Sequence, residues 1–451
     1  MSFNDLAATD DNSLFDETHY ARHGYERTNI YGLVAFDSRL LTYIDRPEEF
    51  PSTRFDKLPE PPATDYSHLL SLPVRHFIAA SSSELTAFIS RDGYWNCLNI
   101  SLGLEAGRSE VIAIDAVEET NEDEIKVLLA LASAYSWKHA KHKAIFRTSL
   151  VRYRPIKPDY TAHGCANANN TCGVRFCAVV NHTKLTKHPL SDVTHLYVQD
   201  SQKGVFVELS SSIFFPMMAI MFILNRSVLF MHIFNQPNNK KVICAGGQHG
   251  EIFLGFYDKD GKETKTNSVR VFSPITSVLI FQPKTYSQSD ELHLVVTCAI
   301  EQAIVYRSIE INGLTTSRAL PLSGNFDSVL CSHVMDVDWD GEKEILIGTY
   351  GRQVLIYKQV AGTQIYNILW KRQFAYPIYR IVHLDLNRDG LDELIVTTMY
   401  GVHIFQPNSK KSRDRLLEVL QYVESSKKRK YELLIEWRHR KELEKSIVFE
   451  R

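Results

Sequence analysis

Short runs of strand-forming residues recur along this chain at an interval of about 50 residues. Gly250, Gly351 and Gly401 each precede an alternating apolar run, and they lie 101 and 50 residues apart. The runs follow apolar segments that end in small residues, such as Gly348-Thr349 and Thr397-Thr398. This self-similarity is typical of propeller blades, because each four-stranded unit buries its faces only against its neighbours.

The repeats predict an all-β fold, a β-propeller that spans residues 28–407. At roughly 54 residues per blade the span fits seven blades, and six or eight remain open. Repeated Gly-His and Trp-Asp pairs are absent from the sequence, so it does not have the signature of a WD-repeat ring. Residues 1–27 are acidic and lack hydrophobic periodicity, which predicts a flexible N-terminal arm.

Residues 408–451 have a different composition and predict a basic helical tail. They contain 13 Lys or Arg residues and 8 Asp or Glu residues. Leu416, Leu420 and Val423 share one helical stripe, which we expect to pack on the propeller or on a partner. The segment forms either one long helix or a hairpin that breaks near Ser425.

Composition and charge exclude several classes of protein. Hydrophobic residues make up 44% of the chain and charged residues 23%, as in soluble globular proteins. A net charge of −2 does not suit a nucleic-acid partner. The apolar run 213–224 is shorter than the roughly 20 residues that cross a bilayer, so we expect no transmembrane segment. The polar N-terminus and the sparse cysteines predict a cytoplasmic protein.

Two acidic loops repeat one spacing of oxygen-bearing residues, with Gly341 and Gly390 at the sixth position. The candidate ligands, which include the main-chain carbonyls of Glu342 and Leu391, are Asp336, Asp338, Asp340, Glu342 and Glu344, and Asp385, Asn387, Asp389, Leu391 and Glu393. Calcium prefers six to eight oxygens around a tight loop. The loops therefore predict structural Ca²⁺ sites between strands, and the alternative is an Asx-type turn without metal.

Other constellations carry weaker signals. The group His163, Cys165, Cys172, Cys177 and His182 lacks the spacing of paired zinc knuckles, which favours a loop with incidental thiols. The sequence contains none of the Gly-x-Ser-x-Gly, P-loop, dinucleotide-binding or His-Glu-x-x-His motifs. We therefore expect that the chain is not an enzyme.

Several segments resemble the kaptin family. The match runs through Phe326–Gly341, Glu344–Gly351, Leu369–Phe374, His383–Glu393 and Gly401–Gln406. The resemblance is strongest over residues 300–406 and thin over 100–225. It implies blades similar to the FG-GAP repeats of integrin alpha chains, which agrees with the two acidic loops.

The resemblance also implies a role. It points to a non-enzymatic scaffold subunit of a KICSTOR-like complex that restrains TOR growth signalling at the lysosome during nutrient shortage. The implied partners are a propeller with FG-GAP repeats, other KICSTOR subunits and, indirectly, the GATOR complex. The alternative is an actin-filament-associated protein of lamellipodia and stereocilia, because a basic helix would be attracted to acidic filaments. Neither role requires a cofactor.

Overall fold

The structure is a computed structural model. It describes residues 14–23, 26–38, 74–91, 94–100, 109–120, 125–136, 144–153, 183–187, 194–200, 205–210, 221–223, 228–236, 240–258, 262–284, 291–387 and 389–449. The group of histidines and cysteines at 163–182 and most of the apolar run 213–224 lie outside these residues.

Within the described part of the chain, strands form seven antiparallel sheets. The first sheet consists of β2 (Leu33–Ser38), β3 (Val74–Ala80), β4 (Leu85–Arg91) and β5 (Tyr94–Ile100). The second consists of β6 (Ser109–Thr120), β7 (Ile125–Ser136) and β8 (Ala144–Tyr153). The third consists of β9 (Thr183–Lys187), β10 (Thr194–Asp200), β11 (Val205–Ser210) and β12 (Met221–Ile223).

Two further sheets follow in chain order. They consist of β13 (Val228–Asn235), β14 (Lys241–Gly247), β15 (Glu251–Tyr257) and β16 (Glu263–Arg270), and of β17 (Ile275–Phe281), β18 (His293–Cys298), β19 (Ile304–Tyr306) and β20 (Ser317–Ala319).

The last two sheets contain the acidic loops. They consist of β21 (Val329–Met335), β22 (Glu344–Thr349), β23 (Gln353–Gln359) and β24 (Tyr366–Gln373), and of β25 (Ile378–Leu384), β26 (Glu393–Thr398), β27 (Gly401–Pro407) and β1 (Phe15–Arg22). A short helix, α1 (Ile309–Asn312), connects β19 to β20, and a 3₁₀ turn covers Ser323–Phe326.

The first strands of neighbouring sheets contact one another, which is the arrangement of propeller blades. These contacts join β13 to β17, β17 to β21, β21 to β25, β25 to β2, β2 to β6 and β6 to β9. The second strands β18, β22 and β26 are buried along their whole length, whereas the fourth strands β16 and β20 are mostly exposed. The predicted all-β propeller fold is confirmed, and the number of blades stays a prediction.

The hydrophobic core lies between sheets rather than at one centre. One cluster joins the sheets of β13 and β17 through residues such as Leu254 and Leu294. Another joins the sheets of β21 and β25 through Leu346 and Leu394. Each blade therefore depends on its neighbours for the burial of its apolar faces, as stacked repeats require.

The prediction of a flexible arm is wrong for Phe15–Arg22, which form β1. This strand pairs antiparallel with β27, from Phe15 opposite Pro407 to Arg22 opposite Gly401. The backbone N–H of Asn408 also donates to the carbonyl of Leu14 over 3.0 Å. The propeller therefore includes residues ahead of position 28. Only Phe15 of the strand is buried, so the sequence shows no alternation there.

The tail forms one helix, α2 (Ser409–Phe449), with no break at Ser425. The side chain of Asn408 accepts a hydrogen bond from the backbone N–H of Lys411 over 3.2 Å, which caps the first turn. The helix follows directly from β27, so its position depends on the last blade.

A partly buried pair of histidines joins β21 to β25. His333 Nε2 and His383 Nδ1 lie 2.5 Å apart, which requires one proton between them. Burial lowers the pKa of His333 well below its usual value, and His383 and Arg380 lower it further. Lys343 and His232 add positive charge nearby, so a protonated His333 is strongly disfavoured in the folded chain.

We expect His333 to contribute a loss of stability as the pH falls below the ordinary histidine value of about 6.5, against the gain from protonation of Glu344 and Glu393. The unfolded chain then takes up a proton at His333 that the folded chain rejects, which costs up to about 1.4 kcal/mol per pH unit. Urea midpoints measured from pH 7.5 to pH 5.5 should decline less in His333→Gln than in the unmodified chain. Equal declines would show that this histidine does not contribute.

Candidate functional site

The two acidic loops and the helix lie at the same end of the sheets. The loops follow the first strands β21 and β25, and helix α2 follows the third strand β27. First and third strands of an antiparallel sheet run in the same direction, so their carboxyl ends meet at one edge. We call this edge the loop end of the propeller.

The first loop, between β21 and β22, is closed by its own carboxylates. Asp336 accepts hydrogen bonds from the backbone N–H groups of Asp340 and Gly341 over 3.2 and 2.8 Å. Glu344 accepts from the backbone N–H of Val337 over 2.9 Å. Gly341 has a φ of +87°, a left-handed conformation that favours glycine. These hydrogen bonds hold a tight turn in which the carboxylates accept from the backbone.

Lys358 on β23 points its ammonium group into the first loop. Its Nζ donates to Asp338, to Asp340 over 2.6 Å and to Glu344 over 3.1 Å. Burial disfavours the charged form, but the hydrogen bonds to Asp338 and Asp340 outweigh it and raise the pKa of Lys358. The other oxygen of Asp338, Oδ1, is buried without a hydrogen-bond partner among the described residues. Lys358 therefore supplies the charge that this carboxylate needs.

The second loop, between β25 and β26, repeats the turn. Asp385 accepts from the backbone N–H of Gly390 over 3.0 Å, and Asp389 accepts from that of Leu391 over 2.8 Å. Asn387 donates its side-chain amide to Asp389 over 3.0 Å. Glu393 accepts from the backbone N–H of Leu386 over 2.7 Å, as Glu344 does from Val337.

The strand register identifies the residue that corresponds to Lys358. Ile345 pairs with Tyr357, so Glu344 lies opposite Lys358. Leu394 pairs with Phe405, so Glu393 lies opposite Gln406. The second loop therefore has a neutral amide at the position where the first loop has an ammonium group.

Both loops contain a buried glutamate with an altered acidity. The pKa of Glu344 and that of Glu393 are raised to about 7, mainly by burial and partly by the nearby aspartates, although Lys358 lowers that of Glu344. The backbone hydrogen bonds from Val337 and Leu386 act in the opposite direction. A cation close to either glutamate would favour its ionised form.

The fold brings three of the predicted ligands together in the first loop. One oxygen each of Asp336, Asp338 and Asp340 lie within 4.8 Å of one another, a spacing that a metal ion could bridge. Lys358 already contacts two of these three carboxylates. Lys358 therefore competes with a metal ion for this loop, and structural Ca²⁺ stays a prediction for both loops.

For the second loop we expect Asp389→Ala to lower stability by about 1 kcal/mol, because the N–H of Leu391 loses its acceptor. If Ca²⁺ binds there, the unmodified chain should also melt at a higher temperature in millimolar Ca²⁺ than in chelator. Asp389→Ala should abolish that difference. Identical melting temperatures of the unmodified chain in both buffers would reject the metal and leave the turn.

The helix exposes its apolar side chains to solvent. Leu416 is 58% exposed, Leu420 54% and Val423 40%. Trp437, further along the helix, is 54% exposed. The predicted stripe therefore does not pack on the described strands of its own chain. A helix gains most of its stability from burying an apolar face, so these residues form a candidate binding surface.

The opposite end of the propeller also exposes large apolar residues. Phe272, Ile300, Tyr350 and Tyr376 follow β16, β18, β22 and β24, so they lie at the end away from the acidic loops. Phe272 is 98% exposed and Ile300 78%. Large exposed apolar side chains at one end of a protein are typical of a surface that contacts another protein.

In the part of the chain that the structure describes, no helix has both the length and the apolar composition needed to cross a membrane.

Comparison with known proteins identifies related sequences. The family model of KICSTOR complex protein kaptin matches residues 190–417, which is half of the chain. The mouse (Mus musculus) protein described as KICSTOR complex protein kaptin is 32% identical over 245 residues. That alignment covers 52% of this chain and 56% of the mouse protein, so the chain spans little more than half of that relative's length.

Solved structures resemble the chain in fold alone. A mercury-soaked crystal structure of BBS1N in complex with ARL6DN has a TM-score of 0.50 at 12% identity, and the match covers 74% of this chain and 89% of that chain. The WD40 domain of Toxoplasma gondii coronin has a TM-score of 0.44 at 8% identity, over 88% and 90% of the two chains. The latter score is too low to support an argument.

Proposed function

Because the chain belongs to the kaptin family, we propose that it is a non-enzymatic scaffold subunit of a KICSTOR-like complex. The family and the propeller fold favour a scaffold over an enzyme. The mouse relative is described as a KICSTOR complex protein, which supports membership of such a complex for this chain.

The exposed apolar side chains of helix α2 give the strongest support to a scaffold role. Helix α2 leaves the propeller with leucines, a valine and a tryptophan exposed. Such side chains are stabilised by contact with another apolar surface, at roughly 25 cal/mol per Å² of buried area. A permanent partner subunit would supply that surface, whereas an enzyme that acts alone would not need it.

The finer role that we propose is to hold a complex that restrains TOR growth signalling at the lysosome during nutrient shortage. The partners would be a propeller with FG-GAP repeats, other KICSTOR subunits and, indirectly, the GATOR complex. Affinity purification of the tagged full chain, followed by mass spectrometry, tests this directly. Recovery of the chain without any such subunit, from cells deprived of nutrients, would contradict the proposal.

We expect Leu416→Asp together with Leu420→Asp to reduce recovery of the partner subunit at least tenfold. Two charges would then lie in an apolar contact, which costs several kcal/mol. Charge reversal at Lys427, Lys428, Arg429 and Lys430 is the matched control on the same helix and should leave recovery unchanged. The opposite result would show that the basic run forms the contact.

A second candidate function rests on that basic run. Residues Lys427, Lys428, Arg429 and Lys430 are exposed, and an actin filament is acidic enough to attract them. Co-sedimentation with filaments at low and high salt tests this association. Charge reversal should abolish sedimentation if the chain binds actin by this route, and high salt should weaken it.

A further inference from the structure

We propose that Lys358 is a built-in cation of the first acidic loop, so that this loop holds no calcium. The inference goes beyond the proposed function, because it concerns the chain itself and not its partners. It rests on the contacts of Lys358, the burial of Glu344 and the different residue that occupies the same register position in the next blade.

The ammonium group lies where carboxylates from three parts of the loop converge. Asp338, Asp340 and Glu344 direct an oxygen each to the Nζ of Lys358. Glu344 is only 1% exposed, so its carboxylate has little access to water. A buried carboxylate needs a compensating charge, and the described residues provide it from β23.

A divalent cation and the ammonium group would compete for the same oxygens. Three carboxylates are enough to attract a calcium ion, which takes oxygen ligands at 2.3–2.6 Å. An ammonium group 2.6 Å from Asp340 and 3.1 Å from Glu344 already occupies the space between them. A metal ion could enter only if Lys358 moved away from Asp338, Asp340 and Glu344.

The next blade provides an internal comparison. Its loop repeats the turn and the buried glutamate, but Gln406 lies opposite Glu393 where Lys358 lies opposite Glu344. The two blades therefore share the loop and differ in the group that faces its buried carboxylate. Because the two loops are alike, the cation is supplied by Lys358 on β23 and not by a residue of the loop itself.

The position of Trp339 allows the first loop to be observed separately. Trp339 is the fourth residue of the first loop, and Arg388 occupies the fourth position of the second. Terbium ions take calcium ligands and emit when a nearby indole transfers its excitation energy. Terbium emission sensitised by Trp339 therefore reports an ion in the first loop, and Trp339→Phe measures the background from other sites.

The test uses the full chain with Tb³⁺ as the probe and Ca²⁺ as the competitor. The unmodified chain and Lys358→Arg should show only the background of Trp339→Phe. Lys358→Met should gain at least tenfold in sensitised emission, which Ca²⁺ should displace, and should melt at a higher temperature in Ca²⁺ than in chelator. Adding Asp338→Asn to Lys358→Met should remove the gain.

Lys371→Met, on the outer strand β24, is the matched lysine control. Its sensitised terbium emission should remain at the level of Trp339→Phe. Two results would overturn the proposal. One is saturable Trp339-sensitised emission from the unmodified chain at the level of Lys358→Met. The other is a folded Lys358→Met chain that gains no emission and no calcium-dependent stability.

Discussion

Replacement of Phe15 by alanine should lower the free energy of unfolding by about 3–5 kcal/mol. The side chain is 1% exposed and packs in one cluster with Met335, Phe374 and Phe405. Its ring also meets that of Trp370 edge to face, with centroids 5.9 Å apart. The substitution would leave a cavity between the last two blades. Urea unfolding followed by tryptophan fluorescence measures the loss.

Removal of residues 1–22 should have a larger effect, because the edge of β27 then loses its partner strand. The chain would also lose the ion pair of Arg372 with Glu17 over 2.5 Å and the contact of His403 with Glu17 over 2.7 Å. An exposed strand edge promotes aggregation, so we expect an insoluble or early-melting protein.

His19→Ala is the control for this strand, because His19 is exposed on β1. Its effect should remain within about 0.5 kcal/mol. If Phe15→Ala lowers the free energy of unfolding no more than His19→Ala does, β1 does not pack against the last blade in solution.

Gly348→Val should destabilise the chain by about 1–3 kcal/mol, through overpacking between two blades. A Cβ atom at this position would lie 2.5 Å from Cγ2 of Ile378 and 2.7 Å from Sγ of Cys331. Both neighbours are buried, so neither can move into solvent. Gly246 on β14 meets Ile275 in the same way, at 2.3 Å. The melting temperature of the purified chain measures the effect.

Gly324→Ala is the control, because its Cβ would meet the flexible side chain of Gln302 at 3.3 Å and the backbone of that residue only at the ordinary contact distances of 3.6 and 3.8 Å. In a double variant, Ile378→Ala should offset part of the cost of Gly348→Val, since the two side chains share one space. Additive losses in that double variant would show that the two residues do not meet.

Much of the architecture could be predicted from local patterns. The apolar runs of β18, β22 and β26 are continuous in the sequence, since both of their faces are buried. The acidic loops were also predictable, because their hydrogen bonds join residues within nine positions of one another. The change to helix after Pro407 follows from a change in periodicity.

Other features depend on partners that are distant in the sequence. The side chain of Thr18 on β1 donates to the carbonyl of Ile404, 386 positions away. Seven of the eight residues of β1 are not buried, so local hydrophobicity could not identify the strand. The strand is ordered by its pairing with the edge of β27, which lies at the other end of the repeats in the sequence.

The sequence by itself determined the repeated blades, the two acidic turns and the helix, because each depends on contacts between near neighbours. The tertiary structure alone decided which strand completes the last blade and which loop receives a lysine. Lys358 and Gln406 are ordinary strand residues in the sequence, and they differ in role only because the register places each opposite a buried glutamate. Pairing between strands is a non-local interaction, so a single blade's sequence does not specify it.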